Sequence, residues 1–142
     1  MNTGSERHQV FQWNTGGWFG SQLGSTVWMF VCACLLLSRD LNVAAIAFAL
    51  FLIPNIVGTA LWAARRKINA YLAIQILLAV CWVCSLASVY LIERSGLWST
   101  VSGIKIDGVG GTVSADSMKL LIIFMFPAMM FFFHLIQRRL RS

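Results

Sequence analysis

From Val43 to Ala63 the chain is apolar almost without interruption, and Arg65, Arg66 and Lys67 follow at once. About twenty such residues at ~1.5 Å rise make a helix of roughly 30 Å, the thickness of a bilayer's hydrocarbon core. The cationic triplet marks the end held on the cytoplasmic side. Three more apolar runs of comparable length lie around this one. The sequence therefore predicts an all-α membrane protein, a four-transmembrane-helix bundle. Its helices cover about 17–37, 42–63, 69–92 and 118–136, within a single integral membrane domain over residues 1–142.

Composition supports this class. With 58% hydrophobic and 11% charged residues in 142, and a mean hydropathy of +0.75, the chain has too little polar surface to cover a water-soluble globule. The first run is read as a retained helix rather than a cleaved secretory signal, because its apolar part is long and lacks a small-x-small cleavage pattern.

The connections constrain topology. Ser38-Arg39-Asp40 is so short that helices one and two must be antiparallel neighbours. Glu93-Arg94-Ser95-Gly96 stops helix three, and residues 93–117 form the one long loop. Its middle alternates polar and apolar residues around Asp107-Gly108 and Gly110-Gly111, which predicts a small β-hairpin-like loop between helices 3 and 4. Ser114 or Asp116 is placed to cap helix four.

The net charge of +6 would suggest nucleic acid in a soluble protein. Here seven of the eleven basic residues, Arg7, Arg65, Arg66, Lys67, Arg138, Arg139 and Arg141, adjoin the ends of apolar runs on one side. The other four, Arg39, Arg94, Lys105 and Lys119, share their side with four of the five acids. That bias predicts a multi-pass protein of the inner (cell) membrane with both termini cytoplasmic. Its partners are the lipid bilayer and anionic headgroups at Arg65, Arg66, Lys67, Arg138, Arg139 and Arg141, not nucleic acid.

Two helix faces carry small residues. Gly17, Ser21, Gly24, Ser25, Trp28 and Cys32 share a stripe on helix one; Ala70, Ala73, Leu77, Cys81, Cys84, Ser85 and Ser88 share one on helix three. Lipid provides no hydrophobic force between helices, so small residues that let backbones approach are how membrane helices pack. The expectation is packing within the chain or against another copy, hence a homo-oligomer or a subunit of a larger membrane complex.

Pro54 and Pro127 fall mid-helix, where each removes a backbone hydrogen bond and kinks its helix, with Asn55 or Thr59 available to compensate near Pro54. Broken helices also build transporter sites, which makes Pro54-Asn55 with Gly58-Thr59 the most unusual local chemistry. Gln22, Ser25, Asn55, Thr59, Gln75 and His134 all fall in the cytoplasmic half, so a polar cluster or pore vestibule there is the alternative reading, an oligomeric channel or passive transporter. No Asp, Glu, Lys or Arg lies mid-helix, which argues against an ion-coupled antiporter of the small four-helix multidrug type. His134, one turn from Arg138, reaches the headgroups in the simplest reading.

Cys81-Trp82-Val83-Cys84, with Cys32 and Cys34 at comparable depth, supports a third reading. The C-x-x-C with a second cysteine pair is similar to four-helix quinone-linked disulfide oxidases and vitamin-K-epoxide-reductase-like proteins. In those families one pair must reach water, whereas all four cysteines here fall inside apolar runs, where thiols act as small packing residues. No hydrolase triad, H-E-x-x-H, P-loop or dinucleotide fingerprint occurs, so no catalytic residue, cofactor or metal is assigned. The dense Phe124 to Phe133 run reads as lipid-facing and packing surface. The reading that results is a non-catalytic membrane protein.

Overall fold

A computed structural model of the chain describes residues 11–96, 98 and 115–141. These form four helices, α1 (Thr15–Leu36), α2 (Leu41–Ala63), α3 (Ala70–Arg94) and α4 (Ala115–Arg141). All four are long and apolar enough to cross a membrane. Among the described residues there is no strand, so the β-hairpin-like loop is not borne out; of residues 100–117, over which it was expected, 100–114 lie outside those described and 115–117 belong to α4. Alternation and glycine turns are weak grounds for pairing, because an isolated two-stranded hairpin is marginally stable at best.

Side-chain caps set three of the helix starts. Asn14 Oδ1 accepts from Gly17 N–H at 3.1 Å, Asp40 Oδ1 from Asn42 and Val43 N–H at 2.9 and 3.1 Å, and Asn69 Oδ1 from Tyr71 N–H at 2.8 Å. Each satisfies amide donors that the first turn leaves without helical acceptors. Gly96 closes α3 at φ +69°, a conformation in which a side chain is strained, and its N–H donates to Glu93 O at 3.2 Å. The α1–α2 turn is tight, with the Arg39 and Asp40 amides both on Leu36 O at 2.9 Å.

α3 is the hub, packing against α2, α4 and, less extensively, α1. Half of its membrane span is buried, against a third or less for each of the others. The face it buries is the small-residue one: Ala70, Ala73, Leu77, Cys81, Cys84, Ser85 and Ser88. Two buried clusters stack along the bundle. Leu36, Ala44, Ala47, Ile92, Trp98 and Ile122 form the one near the α1–α2 turn, and Trp18, Leu61, Ala73, Leu77, Cys81 and Phe126 form the one toward the cationic triplet.

The outer surface is apolar. Leu23, Ile56, Val83, Leu121, Phe124 and Phe131 are each more than half exposed, a belt that water would not tolerate at this extent and that lipid solvates.

Candidate functional site

α1 buries Trp18, Gln22, Thr26, Met29 and Ala33, each one position beyond a residue of the small stripe or of its spacing. Gly17, Ser21 and Gly24 stay exposed and Ser25 half-buried, while Cys32 at the edge of the stripe is buried. The reason is polar. In lipid an amide needs partners, and α2 supplies them opposite Gln22 and Thr26.

Gln22 Nε2 donates to Asn55 O at 2.9 Å and to Asn55 Oδ1 at 3.1 Å. Asn55 Nδ2 donates to Thr26 Oγ1 at 3.1 Å and to Phe51 O at 2.8 Å. Thr26 Oγ1 donates in turn to Gln22 O at 2.9 Å, and Thr59 Oγ1 donates to Asn55 O at 2.8 Å. One turn on, the Trp18 indole N–H donates to Gly58 O at 3.1 Å. The expected compensation near Pro54 takes another course: Asn55 Nδ2 donates to the Phe51 carbonyl and Thr59 Oγ1 to that of Asn55, not to the Leu50 carbonyl, whose amide partner the proline removes.

The close approach depends on Gly58. A Cβ placed there would overlap the Gln22 carbonyl oxygen and stand 2.6 Å from its Cδ. That oxygen, in a side chain only 3% exposed, has no hydrogen-bond partner among the described residues.

The six polar residues expected to gather do not form one cluster. Gln22 and Asn55 meet between α1 and α2, whereas Thr59 and Ser25 bond back within their own helices, to Asn55 O at 2.8 Å and to Ser21 O at 2.7 Å. Gln75 and His134 belong to the α3–α4 contact, through Gln75 Nε2 to Met130 O at 3.3 Å and the Tyr71 hydroxyl against His134 Nδ1 at 3.1 Å. Pro127 is answered from across that same contact. It orphans the carbonyl of Ile123, and the Trp82 indole N–H donates to that oxygen at 3.0 Å. Sequence reading missed Trp82, whose place inside the C-x-x-C drew attention to its flanking cysteines.

The cysteines are dispersed. Cys81 and Cys84 are buried on α3, Cys32 is buried in the opposite cluster from Cys81, and Cys34 is exposed on the lipid side. Positions two apart on a helix point to different faces, so Cys32 and Cys34 do not act as a pair. No group of three His, Cys, Asp or Glu residues comes together among those described.

The two ends differ in charge. At one, Lys119 Nζ lies 2.5 Å from Glu93 and 3.5 Å from Asp116, over the Trp98 ring at 5.3 Å, and joins α4 to α3. Glu93 therefore pairs with Lys119, while Arg94 bonds the Tyr90 hydroxyl at 3.2 Å. At the other, Arg65 lies over the Trp62 ring at 4.9 Å and donates to Trp62 O at 3.1 Å, beside Trp13, Trp18 and Phe19. Arg66, Lys67, Arg138 and Arg139 are exposed there. All acids among the described residues, Asp40, Glu93 and Asp116, sit at the opposite end.

Between α1 and α4 runs a groove floored by α3. A cavity of about 120 Å³ lies at the cationic end against Gly17, Trp18, Ala70 and Gln12. A smaller one of about 50 Å³ lies deeper against Ser25, Leu77, Leu78, Met129 and Phe133. Phe11, Ser21 and Ile74 border both, so the two are stretches of one groove spanned by the Phe11 ring, edge-on to Phe133 at 4.7 Å.

No protein-family model, curated protein or solved structure matches this chain.

Proposed function

We propose that the chain is a non-catalytic inner-membrane protein that self-assembles, or docks into a larger membrane complex, through the uncovered small-residue flank of α1. The observation that carries this reading is the exposure of Gly17, Gly20, Ser21 and Gly24, with open space where a Cβ on Gly20 or Gly24 would stand. A flank of this kind admits another helix backbone at close range, which is the main source of helix association in lipid. The positive-inside rule puts Arg65, Arg66, Lys67, Arg138, Arg139 and Arg141 at the cytoplasmic surface among anionic headgroups, with both termini on that side.

The channel reading has less support. Asn55 spends its amide on α1 and on its own helix, and Gln75 and His134 stand across another contact. The thiol reading requires a water-accessible pair, and Cys34 alone is exposed, toward the apolar belt. The mass of the purified protein in mild detergent tests the assembly reading. Gly24→Leu is expected to shift an oligomer toward monomer. A monomeric wild type that co-purifies with no other protein, or an oligomer indifferent to Gly24→Leu and Gly20→Leu, counts against it.

A further inference from the structure

We infer that the groove between α1 and α4 is a lipid site, holding one acyl chain of an anionic phospholipid from the leaflet at the cationic end. Its deep stretch is mainly apolar, at Leu77, Leu78, Met129 and Phe133, with only the Ser21 and Ser25 hydroxyls on the α1 wall, and Gln12 adds an amide at the mouth. From Ala70 to Leu78 it runs about 12 Å along α3, the direction a lipid tail takes. Cavities of about 120 and 50 Å³ are far too small for a helix of ~10 Å diameter, yet their lining would forfeit dispersion contacts if left bare, so a single chain is the occupant whose shape fits. Phe11 spans the groove without filling it and leaves space on both sides.

Charge selects the headgroup. Lys67 precedes Ala70 at the mouth by three residues, Arg65 and Arg66 precede it, and no acid among the described residues lies at that end. A phosphate there meets only positive charge, whereas at the opposite end it would meet Asp40, Glu93 and Asp116. The groove and the assembly flank meet at Gly17 and Ser21, while Gly20 and Gly24 lie outside the groove, so Ser25→Phe reports on the lipid site and Gly24→Leu on assembly.

The test is native mass spectrometry of the full chain, delipidated and then equilibrated with equal amounts of phosphatidylglycerol and phosphatidylcholine. One retained lipid per chain, with phosphatidylglycerol preferred, is the expected result. Ser25→Phe fills the deep cavity and should abolish retention; Ser25→Leu should weaken it and guards against a misfolded Phe variant. Lys67→Gln lies outside the groove and should cut the phosphatidylglycerol preference by about five-fold, the worth of one basic residue at an anionic surface. Equal retention of the two lipids, or retention unchanged in the folded Ser25 variants, overturns the site. So does a lipid-free dimer that Ser25→Phe dissociates, which would place a second copy in the groove.

Discussion

Gly58 and Gln22 are fitted to one another, and the fit has a measurable consequence. Gly58→Ala puts a methyl group into the Gln22 side chain, which is pinned by two bonds to Asn55 and has little room to retreat. Overpacking of this kind costs about 1–3 kcal/mol. Reversible unfolding in mixed micelles should show that loss, and should show far less of it in a Gln22→Ala background, since the clash and the variant share one partner. Equal losses in both backgrounds would mean that the amide is not what Gly58 accommodates. Trp82 allows a parallel comparison. Trp82→Phe removes the donor to Ile123 O, at a cost of ~0.6 kcal/mol on average and up to ~1.7 for such bonds in lipid. With Pro127→Ala the helix regains an amide for that carbonyl, so Trp82→Phe should then cost less. The prolines were visible in the sequence, but the donor that answers Pro127 was not, because Trp82 and Ile123 are 41 residues apart.

At the scale of helices, α1 shows how far a pattern can be read. Its span is plain from hydropathy, and its small stripe is real, but the buried side of the helix is one residue on, roughly 100° around. Size alone pointed to Gly17, Ser21 and Gly24; the helix turned instead to bring Gln22 and Thr26 to Asn55. On α3 the small stripe and the buried face coincide, and its one amide side chain, Gln75, reaches Met130 O on α4 from beside that face. α4 is held to α3 at three levels, by Lys119 at one end, Trp82 in the middle and His134 at the other. The three are not equal. Glu93 is 56% exposed, so solvent screens its pair with Lys119. Glu93→Gln should cost below ~1 kcal/mol in the same unfolding measurement, the usual range for exposed ion pairs. A larger loss would show that the α3–α4 contact depends on that end of the bundle.

For the molecule as a whole, the proposed direction of the bundle in the membrane rests on where the charges lie. In a cysteine-free background, an impermeant maleimide applied to intact cells should label Ser38→Cys and leave Arg66→Cys untouched until the membrane is opened; the reverse pattern would invert the proposed topology. That the chain forms four helices long and apolar enough to cross a membrane was legible in the sequence alone. Lipid cannot satisfy a bare backbone amide or carbonyl, so any apolar run of membrane length must become a helix, whatever its neighbours do. Which face of each helix turns inward, which carbonyl each indole reaches, and the separation of Gln22 and Asn55 from Gln75 and His134 were settled only by tertiary packing. Those choices depend on where donors and acceptors distant in sequence come to lie opposite one another, and a hydropathy pattern carries no record of that.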